Sequence, residues 1–323
     1  MLDPNDKVVE VKTPVLKSGS VTVSSTDSHR RKCEFTLLEP LPPSWLSSRW
    51  RLFYGQKIDG VITYDSLGVF LPMDPVESET PTGKITSYQG VDKRQLLMDS
   101  IGEVTIQFTQ NQTLKEVVAL HLNGVDITKQ NLVDLGFYLR ANYIFGDDKS
   151  ANHTLSTIVN SFTADFYFDR NGIAVLENLP PASQRPVVKT LKGDSASVYT
   201  SSTSSFKLSD YFNRVIVIGG TADTEIFRAE LENADQIALA GRTITRHIPV
   251  DVAASQDQVD ALAEQYLDEG TRIPALLSIT NFPIVDLEVK QIIEKDGEKY
   301  EVLSFNIPLG LGLQTIEAGK VVI

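Results

Sequence analysis

The chain has 323 residues, 41% hydrophobic and 22% charged, an ordinary globular composition that excludes a disordered protein. Its net charge of −12 excludes a nucleic-acid-coating role, because binding phosphates needs basic patches. A single cysteine, Cys33, excludes an internal disulfide and fits synthesis in a reducing cytoplasm, and no apolar run is long enough to span a membrane.

The length allows two or three domains. "MLDPNDKVVEVK" lacks a basic start and an apolar core, so no secretory signal is expected. Residues 1–107 read as strands. In "RKCEFTLLEP", Cys33, Phe35 and Leu37 alternate with polar neighbours, as Trp50, Leu52 and Tyr54 do in "RWRLFYG". "GKITSYQG" and "EVTIQFTQ" continue the pattern. Cys33 therefore reads as a small core residue and not a reactive thiol. The densest basic run, "HRRK" at residues 29–32, is expected at a solvated strand end. The proline-rich stretches "LEPLPPSW" and "LPMDPVESETPTG" read as irregular surface connections.

Residues 108–192 read as an α/β region. Thr113 and Glu116 form a capping box before an apolar face of Leu114, Val117 and Val118, with Gly124 as a left-handed stop. "TLSTIVNSF" repeats the grammar, with Thr154 as cap and Leu155, Ile158, Val159 and Phe162 as its stripe. "ADFYFDRNGIAVLENLPP" predicts a hairpin turning at Asn171-Gly172. Residues 193–205, "GDSASVYTSSTSS", predict a mobile Ser/Thr-rich linker. Residues 206–323 read as a second β-domain that "NRVIVIGG" enters as a core strand. Its helix, 255–269, opens with Ser255 and Gln258 as a capping box and stops at Gly270. A hairpin turning at Asp296-Gly297 follows.

No catalytic, cofactor-binding or metal-binding residue is expected, and no cofactor. "GGTADTE" lacks the third glycine of a dinucleotide loop and the Gly-Lys-Ser/Thr of a phosphate loop. His29, His121, His153 and His247 have no ligand spacing, and His121 reads as a core imidazole on its helix. A calcium loop opening at Asp169 would need Glu where Pro180 stands. Asp147 and Asp148 read as a solvated turn. Asn111 and Asn152 head glycosylation sequons that coincide with helix caps. There is no Gly-x-Ser-x-Gly elbow, so a non-enzymatic role is expected.

Three segments, in order, carry a resemblance. They are "GSVTVSSTDSHRRKCEFTLLEP", then "TLSTIVNSFTADFYFDRNGIAVLENLPP", then "LSDYFNRVIVIGG" followed by "VDALAEQYLDEG" and "KYEVLSFNIPLG". Together they resemble the hub proteins of phage tails and related contractile injection machines, over nearly the whole chain. The resemblance implies an α+β, mainly β fold, with two tail-tube-like β-barrel or sandwich domains and an intervening α/β region. It implies a virion structural protein made in the host cytoplasm, a homotrimer that joins the sixfold tube to a threefold spike. Partners would be a tail tube or distal tail protein, a spike or tail-tip protein and a tape measure protein, with DNA only in transit through the lumen and no membrane insertion. Some family members carry a peptidoglycan-cleaving domain after the second β-domain. This sequence ends at "LQTIEAGKVVI", so that activity is not expected here. Two alternatives stand beside this one. The first is another baseplate component, such as a distal-tail adaptor or a carbohydrate-binding protein, for which Trp45 and Trp50 are the only tryptophans. The second is a glycan hydrolase with paired carboxylates.

Overall fold

The computed structural model describes residues 1–11, 16–38, 41, 47–80, 83–100, 106–139, 143–145, 149–192, 199–206, 211–220, 226–250, 255–271 and 275–321. The N-terminal strands follow from alternation. β1 (Leu16–Ser24) and β2 (Arg31–Leu37) pair antiparallel, and Val21, Val23, Cys33, Phe35 and Leu37 are all buried. Burial pushes the Cys33 thiol far up, so it is inert core. β3 (Trp50–Ile58) and β4 (Val61–Pro72) form a hairpin closed by Asp59-Gly60, at φ 51° and 85°, the pair of left-handed residues that a two-residue turn demands. β5 (Val76–Thr80) pairs with β6 (Gly83–Val91), which returns to β2. The rings of Phe35, Trp50 and Tyr88 meet at centroid distances of 5.2, 5.4 and 5.7 Å.

An α/β unit follows. Its elements are α1 (Arg94–Asp99), β7 (Ile106–Phe108), α2 (Leu114–Gly124), β8 (Gln130–Leu132), β9 (Tyr143–Phe145), α3 (Ala151–Val159), β10 (Ala164–Phe168) and β11 (Ala174–Asn178). The Thr113/Glu116 capping box is formed, with bonds of 3.1 and 2.8 Å. The left-handed residue after α2 is Asp126, φ 56°, and not Gly124. An Asx-type side chain tolerates that conformation. Ser150, not Thr154, caps α3, accepting from His153 N at 3.1 Å. Starting a turn earlier places Ala151 in the core with Leu155 and Ile158, and Thr154 is itself buried. The predicted turn at Asn171-Gly172 is present, with Asn171 N and Ile173 N both donating to Asp169 Oδ1 at 2.8 Å.

The Ser/Thr-rich segment differs from expectation. Residues 193–198 lie outside the described residues, but after β12 (Val187–Leu191) the run Tyr199–Phe206 forms strand β13. Backbone bonds to a neighbouring strand need no apolar side chain, and Ser and Thr leave them free to form. The segment "NRVIVIGG", expected as a core strand of the second β-domain, also belongs elsewhere. Strand β14 (Arg214–Gly219) is the centre of a separate sheet, between β15 (Phe227–Glu232) and β16 (Thr245–Val250), with α4 (Ala234–Ala240) between the latter two in the chain. Helix α5 (Gln256–Thr271) covers one face of that sheet, joining Val215, Val217, Ala229 and Val250 to Val259, Leu262 and Ala263 in a core of their own. Gly220, at φ 94°, turns the chain out of the strand. Gly270 does not stop α5, which runs on to Thr271. The Phe212 ring requires it, since a Cβ there would come within 2.2 Å of the ring.

The last strands are β17 (Ala275–Asn281), β18 (Ile292–Lys295), β19 (Glu298–Pro308) and β20 (Gln314–Lys320), with the predicted turn at Asp296-Gly297. They join the first strands in one twelve-stranded sheet. Its main path runs β13-β17-β20-β19-β1-β2-β6-β4-β3, with β18 and β12 branching at β19 and β5 at β6. The seam is β1–β19, where Val21 faces Ile307 and Val23 faces Phe305. One core runs beneath it, from Phe35, Trp50 and Phe70 to Leu277, Ile279, Phe305 and Ile316. The fold is α+β and mainly β, as the sequence implied, but among the described residues no barrel closes. β4 pairs with β6 only through Leu71 and Pro72, so the β3–β4 hairpin diverges where closure would need it.

Gly270 supplies a stability test. Alanine would gain about 1 kcal/mol of helix propensity, against overpacking that costs about 1–3 kcal/mol. Gly270→Ala should therefore lower the urea midpoint, and adding Phe212→Leu should recover much of the loss.

Candidate assembly surfaces and the charged junction

Two features stand out once the fold is built: a charged junction that binds the parts together, and strands with exposed faces at the ends of the sheet. The junction forms at "HRRK". Its four residues were expected in solvent, yet His29, Arg30 and Arg31 are buried. Arg30 leaves the β1–β2 loop to donate to Asp165 Oδ2 at 2.7 Å, on β10 of the α/β unit. Lys290, just before β18, donates to Asp165 Oδ1 at 2.8 Å. One carboxylate thus ties three distant segments. Burial alone would raise the Asp165 pKa, but the Arg30 and Lys290 charges overcome it and hold it down at about 2.

Neighbouring contacts extend the junction. The Arg30 guanidinium lies 3.9 Å above the Tyr167 ring, and Tyr167 donates to Glu177 at 3.1 Å. Arg31 pairs with Glu288 and donates to Leu67 O at 3.0 Å. Buried Asp92 accepts from Arg31 N and Arg94 N, each at 2.9 Å. His29 meets Gln95 Oε1 at 2.9 Å. The solvated reading failed because the partners, Asp165, Glu288 and Asp92, lie far away in sequence. Only the local charge density was visible.

The hairpin turn at 169–172 is the second tie. Arg51 donates to Asn171 Oδ1 at 2.6 Å, Ser66 Oγ to Arg170 O at 2.7 Å, and buried Lys93 to Gly172 O at 2.9 Å. Lys93 also pairs with Asp6, which Arg49 holds at 2.8 Å. A Cβ on Gly172 would come within 2.9 Å of Val69 and 3.1 Å of Lys93, besides needing φ 72°. The Asp-x-Asn-Gly sequence therefore serves docking as well as turning.

The exposed strands lie at the ends of the sheet. From Phe53 to Tyr64 the β3–β4 ribbon has no buried residue among those described. Phe53 (51% exposed), Ile62 (54%) and Tyr64 (68%) stand on one face, as the pairing of Phe53 with Ser66, Gly55 with Tyr64 and Lys57 with Ile62 requires. At the other end, β13 offers Thr200 to Ser205, all exposed and none apolar. Reading the sequence missed the ribbon, although Asp59-Gly60 between alternating runs was its signal.

The remaining candidates stay apart. His121 is core, donating from Nδ1 to Val117 O at 2.9 Å and stacked on Phe108, and burial lowers its pKa. His153 and His247 are exposed on other elements. Asn152 accepts from Arg94 Nε at 2.6 Å. Asp147, Asp148 and Trp45 lie outside the described residues, while Trp50 is core. No helix among the described residues is long and apolar enough to cross a membrane.

No protein family and no curated protein matches this sequence. Solved structures do. They share the architecture, a mainly β sheet carrying two α/β units. A tail protein from Neisseria meningitidis MC58 matches with a TM-score of 0.70 at 13% identity, over 98% of this chain and 95% of that one. The 43 kDa tail protein of prophage MuSo2 from Shewanella oneidensis matches at 0.65 and 12% identity, over 96% and 95%. A component of the Escherichia coli type VI secretion system, described as structurally similar to bacteriophage T4 tail proteins, matches at 0.57 and 13% identity, over 98% and 76%. The chain has the fold of phage tail and contractile injection system proteins, as the order of its motifs implied.

The junction makes a pH prediction. The folded pKa of Asp165 is depressed, so its stabilisation is complete above the unfolded value, 3.8, and is lost as pH falls toward about 2. Across that window the wild type should lose about 2 kcal/mol that Asp165→Asn does not lose. At pH 7, Asp165→Asn should cost about 3 kcal/mol, because it leaves buried Arg30 and half-buried Lys290 without their counter-charge. Urea denaturation at pH 7, 4 and 2.5 reads both.

Proposed function

We propose that the chain is a structural tail protein, a hub whose copies close into a homotrimeric ring between a sixfold tail tube and a threefold spike or tail tip. The observation that carries this reading is the β1–β19 seam. Within one chain, N-terminal and C-terminal strands already join edge to edge into a single sheet that ends open at β3 and β13. Repeating such a joint between chains continues the ring. Two strand groups per chain then give six from three copies.

The ends suit the operation. Open edges must be paired, covered or charged; these carry no charge cluster, and Phe53 to Tyr64 and Thr200 to Ser205 include no buried residue among those described. At 9 and 8 residues, β3 and β13 are comparable in length. An isolated two-stranded ribbon is marginal in water, so the apolar face of Phe53, Ile62 and Tyr64 needs a partner. Head-to-tail contacts of this kind close into rings when the rotation allows. The net charge of −12 suits a lumen through which DNA passes without sticking. The distal tail or tube protein, the tape measure protein and the spike would meet the two faces of the ring. The matched tail and secretion-system folds support a structural role of this kind. In this reading the chain works without catalysis or a cofactor, in a virion built from parts made in the host cytoplasm.

Mass photometry across a concentration series, alone and with a tube or spike protein, should show a trimer. Ile62→Lys with Tyr64→Asp should weaken association by about tenfold or more, placing charge on the buried face. A monomer in every mixture, or a closed dimer, would overturn the hub reading.

A further inference from the structure

A cleft of about 450 Å3 lies between the two α/β units, lined by Asn111, Phe137, Tyr138, Thr163, Asp257 and Gln258 among others. We propose that it binds a neutral oligosaccharide, with the Tyr138 ring as platform for a pyranose and Asn111 and Asp257 as hydroxyl partners. This site is independent of the ring contacts described above.

The platform is held in place before any ligand arrives. Residues 137–139 run extended, so their side chains alternate. Leu139 is fully buried, and Phe137 stacks on Phe162 with centroids 5.0 Å apart. Both anchor the backbone, which also bridges Thr113. Tyr138, between two inward residues, is left 51% exposed. An apolar ring with no core to enter, fixed on both sides, has little left to lose in entropy on binding.

The polar groups point to the ligand class. Asn111 is held at φ 71° by a bond from its N to Leu139 O at 2.8 Å. The side chains of Asn111, Tyr138, Thr163 and Asp257 make no hydrogen bond to any described residue. They offer an amide, two hydroxyls and a carboxylate, donors and acceptors side by side as vicinal sugar hydroxyls require. The sugar's C–H face suits the aromatic ring, and its hydroxyls suit the amide and carboxylate. The described lining holds one carboxylate and no cation, so an acidic sugar is disfavoured. The volume lies within the span of small-ligand sites, about 300–1,000 Å3.

Saturation-transfer-difference NMR on the full chain tests this with maltotriose, cellotriose and the N-acetylglucosamine trimer, and with trigalacturonate and trialanine as contrasts. Transfer is expected from the protein to at least one neutral trisaccharide and to neither contrast. Tyr138→Ala, and separately Asn111→Ala with Asp257→Ala, should weaken it by about tenfold. Tyr138→Phe keeps the ring and should bind within about threefold of wild type. Phe282→Ala removes an exposed aromatic elsewhere and should change nothing. No transfer to any neutral sugar, undiminished transfer in folded Tyr138→Ala, or equal transfer to trialanine or trigalacturonate would each overturn the proposal.

Discussion

The arrangement of this molecule turns on one buried carboxylate. Asp165 can stay ionised away from water only because Arg30 and Lys290 reach it from opposite ends of the chain. That requirement fixes the path of the β1–β2 loop and the approach to β18. Lys290 even adopts φ 66°, a conformation an unbranched side chain takes only at some cost. An apolar contact tolerates sliding, whereas paired charges with directed hydrogen bonds set an angle. The α/β unit is therefore seated at a defined attitude against the sheet, and the turn at 169–172 supplies a second point of attachment.

The large sheet shows the opposite logic. Its centre is closed against water by a core shared between the two ends of the chain, while its termini are left unfinished. The contrast between the termini is chemical. β13 presents only small hydroxyl side chains from Thr200 to Ser205, which offer a backbone edge and little else. The ribbon presents apolar faces and a backbone edge together. A sheet with unlike ends is suited to joining in one direction.

Much of the fold was legible in the sequence. Alternation located the N-terminal strands, and Asn171-Gly172 and Asp296-Gly297 marked hairpins that are present. The Thr113/Glu116 box located α2. These signals are local, and local signals survive in one dimension. What failed was non-local. "HRRK" reads as a solvated end unless Asp165 and Glu288 are known to be near. "GDSASVYTSSTSS" reads as a linker because nothing in it announces β17 as a neighbour. "NRVIVIGG" was rightly read as a strand, but its assignment to a separate sheet depends on α5, which begins more than thirty residues later. The residues of the cleft carry no motif, since Asn111 and Asp257 come from units far apart in the chain.

The β1–β19 seam sets the order in which the chain can fold. Residue 21 pairs with residue 307, so the central joint of the sheet cannot form until nearly 290 further residues have been synthesised after β1. Until then β1 has β2 on one side and bare backbone on the other. Contacts of such sequence separation slow folding, because loop closure must precede any gain. During that interval the waiting edge can capture β19 from another copy in place of its own. The same geometry that suits edge-to-edge assembly exposes the nascent chain to domain swapping, and it favours expression conditions that keep the concentration of unfinished chains low.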